Sequence, residues 1–475
     1  MVNDLPAVVI AAPSSGSGKT TVATGIMGAL RAAGRRVAPF KVGPDYIDPG
    51  YHAVAAGRPG RNLDAVMMGR DAMVPSLRWG SAGCDIAVVE GVMGLFDGRI
   101  DLSEGAATEP GAEGSTAAVA SAIGAPVVLV VDARGHSQSI GALVHGFSTY
   151  DPSVRIAGVI LNRVGSPRHE AVLRQACDRI GVPVIGSVPR AAALEVPSRH
   201  LGLVTAAEHG SAAVDAVSAM TALATQHVDL EELSRIADSA HVPAGTAWDP
   251  REAAGPTANA GTPVIAMAGG PAFTFGYAEH VEVLRAAGAD VAVFDPRHDR
   301  LPEGTSGLVV PGGFPELHAA ELAANELLLH DIRDLVDAGH PVHGECAGLL
   351  YLAQSLDGHR MAGVLDLDVE FGSRLTLGYR DAVAVTDSVM FDAGTRVTGH
   401  EFHRTSVSRR GTADNAWGWR RDGASLMEGA VASGGRVHAS YLHTHPVATA
   451  AGIARFVAAS RPTRETPQAA SSPSR

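Results

Sequence analysis

Two stretches of this chain place reactive residues at spacings that a tight turn can use. The first is Pro13-Ser-Ser-Gly16-Ser17-Gly18-Lys19-Thr20-Thr21, which follows the apolar run Ala7–Ala12. A phosphate needs clustered backbone N–H donors, and small residues let the chain approach it. Gly16, Ser17 and Gly18 supply the wrap. Lys19 would reach the β- and γ-phosphates of ATP, Thr20 would ligate Mg²⁺, and Thr21 closes the loop. The usual pattern opens with Gly where this chain has Pro13, so the loop is a deviant one in the right strand–loop–helix setting. The second stretch is Gly344-Glu-Cys346-Ala347-Gly348, between a short extended run and an apolar helix expected over Leu349–Leu356. It is the cysteine form of a nucleophile elbow. A following helix N-terminus favours a thiolate. The N–H of Ala347 and the loop at Gly312 and Gly313 could receive an oxyanion. His443 and His445, in Tyr-Leu-His-Thr-His, are both available as the base, and the residues alone do not choose.

Further polar clusters close the later apolar runs, where open parallel sheets place ligands. Asp45, Tyr46 and Asp48 follow the second run and Asp97 the third; beside Pro and Gly these aspartates also suit turns. Glu90 sits where a carboxylate would hold Mg²⁺ directly or through water. Asn162 could read an adenine edge or shape a turn. Arg190 and Arg199, with His200 beside the latter, offer guanidiniums suited to carboxylates or phosphates, or a solvated face. His400 and His403 on a strand would point to opposite faces, which argues against a metal pair. Cys84 and Cys177 read as small core residues.

These groups need a scaffold. Runs at Ala7–Ala12, Arg36–Phe40, Ile86–Val89, Pro126–Val131 and Ile156–Leu161 read as buried parallel strands, with helices such as Lys19–Ala33 and Ser115–Ile123 between them. That alternation predicts a doubly wound parallel sheet over residues 1–238. Residues 239–262 are rich in Ala, Gly, Pro and Thr and read as a linker. Alternation resumes in a second α/β domain over 263–460, with strands at Val264–Met267, Val291–Phe294 and Gly307–Val310. Helices are expected over Glu279–Ala287 and from Pro315 to about Ala338. Residues 461–475 read as a disordered tail. The 475 residues carry 38 Lys+Arg against 50 Asp+Glu, a net charge of −12, which argues against nucleic acid or an anionic membrane as the partner. No apolar run is long enough for a membrane span, and three widely spaced cysteines suit a reducing cytoplasm.

Taken together, the chain from about residue 5 to 458 resembles the glutamine-dependent a,c-diamide synthases of cobyrinic or hydrogenobyrinic acid in cobalamin biosynthesis. The strings that carry this include Lys41-Val-Gly-Pro-Asp-Tyr-Ile-Asp-Pro, Glu90-Gly-Val-Met-Gly-Leu-Phe-Asp-Gly, Pro197-Ser-Arg-His, Pro311-Gly-Gly-Phe-Pro-Glu, Gly344-Glu-Cys-Ala-Gly, Gly399-His-Glu-Phe-His and Ser440-Tyr-Leu-His-Thr-His. The resemblance implies a dethiobiotin-synthetase-like ATPase domain followed by a class I glutamine amidotransferase domain. It implies Cys346 as nucleophile and His443 as base. It also implies ATP, Mg²⁺, L-glutamine and a corrinoid polycarboxylate, the last met by Asp45, Tyr46, Asp48, Asp97, Arg190, Arg199 and His200. Other class I amidotransferases carry a Glu two residues after the base, where this chain has His445. A homodimer is one state open to such an enzyme. Rival readings are a cobyric acid synthase and a regulatory or partitioning P-loop ATPase with a non-catalytic second domain; the Cys346 elbow speaks against the latter.

Overall fold

The structure, a computed structural model, describes residues 5–100, 111–190, 210–256, 261–421 and 423–461. The first sheet has seven parallel strands: β1 (Ala7–Ala11), β2 (Val37–Val42), β3 (Arg61–Leu63), β4 (Ile86–Glu90), β5 (Val127–Asp132), β6 (Ile156–Val164) and β7 (Val184–Pro189). Their order is β3-β2-β4-β1-β5-β6-β7. β1 therefore lies between β4 and β5, and crossovers leave it in both directions. The loop after β1 sits at that switch point, where such sheets bind ligands.

The central strands β1, β4 and β5 are near-continuous apolar runs because helices cover both faces. Helix Lys19–Ala32 carries two interior glycines. A Cβ on Gly25 would lie 2.4 Å from the carbonyl oxygen of Met220, and one on Gly28 2.0 Å from Thr221 Oγ1. They are glycines because helix Ser211–His227 crosses at backbone contact.

The second half builds on β8 (Val264–Ala268), β9 (Asp290–Phe294), β10 (Thr305–Val310) and β11 (Val342–Glu345). β11 pairs with the parallel strand Val437–Ser440, whose other neighbour, Ala430–Ala432, runs antiparallel. A largely antiparallel sheet leans against this core. Its two long strands, Leu367–Ala384 and Arg396–Arg410, pair along their length, and Trp417–Arg421 joins the first of them.

Some sequence expectations change. The helix expected from Pro315 to about Ala338 is broken at Asn325. That side chain accepts from the Leu328 N–H to start helix Glu326–Asp337, and its amide donates to the carbonyls of Pro296 and Asp299. The helix after Cys346 stops at Leu352 instead of Leu356. The 239–262 segment carries a helix, Pro250–Ala254, started by Asp249. Trp248 stands edge-on to Trp79 at 5.9 Å, so this segment is packed and not merely tethering.

The halves are joined by partly buried polar contacts. Arg61 on β3 donates to Glu279 at 2.6 Å and Glu282 at 3.1 Å. Trp79 Nε1 donates to Glu282 at 2.8 Å, and the Tyr379 hydroxyl to Asp64 at 3.0 Å. Among the described residues no helix is long and apolar enough to cross a membrane.

Candidate active site

The glycine loop turns β1 into helix Lys19–Ala32 through positive φ at Gly16 (79°) and Gly18 (89°). No side chain caps this helix, so its first N–H groups remain for an anion. Thr20 Oγ1 donates to Glu90 Oε1 at 2.7 Å and to Asp48 Oδ2 at 3.3 Å. Lys19 Nζ is buried and donates to the Met93 carbonyl at 2.9 Å. Burial, then the charge of Lys41, lowers its pKa. Thr21 is half-buried in the first helical turn.

Beneath the loop lies a buried ion cluster. Lys41 Nζ, at the end of β2, donates to Asp48 at 2.6 Å, Glu90 at 3.0 Å and the Gly91 carbonyl at 3.1 Å. His52 Nε2 lies 2.6 Å from Glu90 Oε2. Burial alone would raise the Glu90 pKa, but Lys41 and His52 hold it well below the usual range. Asp48 is pushed up by burial and by the charges of Asp45 and Glu90.

Asn162, read as an adenine-edge or turn residue, reaches the glycine loop. Its amide donates to the Ser17 carbonyl at 2.8 Å and its Oδ1 accepts from the Arg163 N–H at 2.9 Å. The amide thus holds the glycine loop, while Oδ1 turns back on its own strand. Asp97 Oδ2 accepts from the Gly94 N–H at 2.9 Å, and Asp45 Oδ1 accepts from the N–H groups of Ile47 and Asp48. Both thus make turns, while Asp45 also lines a cavity. Arg190 is exposed at the end of β7 and away from that cavity. Arg199 and His200 lie outside the described residues.

In the second half, Cys346 sits at φ 49°, ψ −101°, between β11 and helix Ala347–Leu352. A non-glycine residue held there stores on the order of 1–3 kcal/mol of strain. Its N–H donates to the Ser440 carbonyl at 2.6 Å, which over-determines the turn. Burial pushes the thiol pKa up; the N–H groups of Ala347 and Gly313 point at the sulfur and oppose this. Gly312 must lack a side chain, since a Cβ there would lie 2.4 Å from His443 Cε1.

The two histidines part company. His443 is fully buried, and its Nδ1 lies 3.8 Å from Glu345 Oε2. Glu345 Oε1 is held by the Thr444 hydroxyl at 3.0 Å. Burial would raise the Glu345 pKa, but the imidazoles of His343, His443 and His280 bring it down to about 2. Burial lowers His443 to about 4, against the opposing charge of Glu345. His445 instead accepts from the Val447 N–H and caps helix Pro446–Ala459. His400 and His403 also separate: His400 stands against Tyr379, and His403 stacks on Tyr441 at 3.8 Å. Among the described residues no group of three or more His, Cys, Asp or Glu side chains could hold a metal. Cys177 is core as expected; Cys84 is only half-buried and meets the Arg58 guanidinium.

One cavity of about 760 Å³ is lined by both halves. Tyr46 lines it and meets His443 at a tilt of 39°, with ring centres 4.9 Å apart. Phe402 lines it too, and its carbonyl lies 3.9 Å from Cys346 Sγ. Met93, the partner of Lys19, lines the other side. The cavity thus lies one residue removed from each reactive loop, through the Met93 and Phe402 carbonyls.

A family profile described as a CobQ/CobB/MinD/ParA nucleotide binding domain matches residues 8–204, and one described as a CobB/CobQ-like glutamine amidotransferase domain matches 264–450. The hydrogenobyrinate a,c-diamide synthase of Mycobacterium bovis is 60% identical over 455 residues, covering 95% of this chain and 97% of that protein. The protein of the same name from Streptomyces coelicolor is 55% identical, with coverages of 95% and 97%. The chain belongs to the a,c-diamide synthase family. The family's cobyrinate a,c-diamide synthase from Synechococcus is 37% identical, covering 92% of this chain and 95% of that one. The family's nucleotide-binding profile falls on the glycine-loop half, and its amidotransferase profile on the Cys346 half.

A divalent ion fits the first half by its donors. Thr20 Oγ1, Glu90 Oε1 and Asp48 converge, and Asp48 Oδ1 is buried without a hydrogen-bond partner. Mg²⁺ asks for one or two such oxygens plus phosphate and water. Sequence reading gave no role to Lys41, His52 or Glu345. A lysine ending the buried strand Val37–Val42, with Asp45 and Asp48 close behind, was a signal for a buried ion cluster.

Proposed function

We propose that this chain uses ATP and glutamine to amidate the a and c acetate carboxylates of hydrogenobyrinic acid, with cobyrinic acid as the alternative substrate. One observation carries the reading: a single cavity is lined by Met93, whose carbonyl accepts from Lys19, and by Phe402, whose carbonyl lies 3.9 Å from Cys346 Sγ. A carboxylate cannot expel hydroxide to ammonia, so its oxygen first takes the γ-phosphoryl group of ATP, giving an acyl phosphate and ADP. Lys19 and the uncapped helix N-terminus bind the phosphates. Mg²⁺, held by Thr20 with Glu90 and Asp48, would neutralise phosphate charge. In the other half Cys346 attacks the glutamine carboxamide and His443 takes the thiol proton and passes it to the leaving ammonia. The N–H groups of Gly313 and Ala347 receive the oxyanion. Water then cleaves the glutamyl thioester. Ammonia displaces phosphate from the acyl phosphate, and the rings of Tyr46 and Phe275, 5.2 Å apart, keep its route apolar. ATP and glutamine as co-substrates fit a cytoplasmic enzyme.

The test is direct. Purified protein with ATP, Mg²⁺ and glutamine should convert hydrogenobyrinic acid to a product carrying two new amides, read by mass spectrometry. Amidation at four other side chains would make it a cobyric acid synthase; glutamine hydrolysis without any corrinoid product would overturn the reading.

Glu345 takes the part of the missing third residue, as a positioning group for His443. With His443 near 4, the base is already neutral at pH 7 and gains its inhibitory proton only as pH falls through about 4. The glutaminase rate should therefore hold from pH 8 down to about 5 and fall below that. In Glu345→Gln the carboxylate charge that raises the His443 pKa is gone, so the acid limb should move lower still while kcat drops roughly tenfold to a hundredfold. An acid limb centred near the ordinary histidine value, unmoved in Glu345→Gln, would separate Glu345 from the base.

A further inference from the structure

Accepting that reading, the substrate is a polycarboxylate entering a chain of net charge −12. The first half gives the cavity Asp45, an acid, and Arg99, whose guanidinium is paired with Asp381 and lies 3.6 Å from Glu113. Neither is a free cation for carboxylates. The second half offers a different wall, where strand Trp417–Arg421 ends at the cavity beside its pairing partner Leu367–Ala384. Arg420 is exposed there, and among the described residues it meets a carbonyl, that of Gly423 at 3.4 Å, and no carboxylate. Arg380 behind it is spent on Glu401 at 2.6 Å and sits 6.0 Å over the Trp419 ring, which stiffens that ring as a shelf. His400 also lines the cavity. It is only 7% exposed, yet its Nδ1 has no hydrogen-bond partner. A buried polar nitrogen left without a partner is costly, and a ligand group that paired with it would recover that cost.

We propose that the glutaminase half, and not only the ATPase half, binds the corrinoid: Arg420 and His400 take carboxylates of the ring that do not react, and Trp419 packs against the macrocycle. This goes beyond the cysteine's role in making ammonia, since it gives that domain a share in substrate recognition. Arg420 suits the task because a guanidinium grips a carboxylate through two parallel N–H donors. It stands on an exposed strand end, so its replacement leaves the core untouched.

Binding is measured first, without turnover. Hydrogenobyrinic acid absorbs light, so its arrival beside Trp419 should quench tryptophan emission, and Trp419→Phe should lose most of that change while the other three tryptophans remain. Arg420→Ala should weaken the Kd for hydrogenobyrinic acid by roughly tenfold, and raise the corrinoid KM alike while the ATP and glutamine KM values stay within about twofold. Arg420→Lys should recover part of the loss. A corrinoid whose unreactive carboxylates are esterified should bind wild type and Arg420→Ala alike. If the native enzyme amidates hydrogenobyrinic acid but Arg420→Ala binds it unchanged, the subsite is overturned and the enzymatic reading stands. If the native enzyme amidates nothing, the reading beneath it falls first.

Discussion

Cys346→Ser is expected to abolish glutamine-dependent amidation, by about four orders of magnitude if it follows other nucleophile losses. The elbow is built for one atom. Cys346 is held at φ 49° by β11, by a short helix and by the Ser440 carbonyl, and the N–H groups of Gly313 and Ala347 face its sulfur. Serine keeps the shape and loses the nucleophile, because its hydroxyl is far harder to deprotonate beside a histidine whose pKa lies near 4. The ATP half is separate in sequence and carries its own ion cluster. Ammonium salt at mildly alkaline pH should therefore restore diamide formation in the same variant. Failure of ammonia to rescue a folded protein would give Cys346 some task other than glutamine hydrolysis. Persistence of glutamine-dependent synthesis would move the nucleophile elsewhere.

Lys19→Ala should act on the other half and spare no nitrogen donor. Synthesis from glutamine and from ammonia both need the acyl phosphate, so both should fall, on the order of a thousandfold, the scale of losing one group that stabilises transition-state charge. Lys19 is 8% exposed and already lies beside the cluster of Lys41, Asp48 and Glu90, so its charge is placed before any nucleotide arrives. Thiol-dependent glutamine hydrolysis should survive in this variant. Ammonia-dependent synthesis at the native rate would show that the glycine loop is not where the carboxylate is activated.

Much of this was readable from residues alone, for a physical reason. Strands buried on both faces are unbroken apolar runs, so β1, β4 and β5 announce themselves, and the reactive loops follow directly after strands. What was hidden depends on partners far along the chain. β3 is three residues long and gains its place from β2 and from Arg61, which reaches Glu279 across 218 residues. The strands Leu367–Ala384 and Arg396–Arg410 are partly exposed on both faces and hold no clean alternation. Glu345 stood in plain sight beside Cys346. Its meaning needed the fold of Thr444 and His443 around it. Asn162 read as a ligand group because a strand end is where ligand groups sit; only the position of the Ser17 carbonyl shows that its amide is engaged.

His400 and His443 exchange both backbone hydrogen bonds, each 2.9 Å long, in an isolated two-residue bridge. One residue of the bridge lines the cavity and the other carries the imidazole beside Gly312. A corrinoid that displaced His400 would reach His443, the proposed glutaminase base, through two hydrogen bonds and no intervening side chain. Thermodynamic linkage then makes the effect run both ways: whatever factor the ring adds to glutamine affinity, glutamine must add to the affinity for the ring.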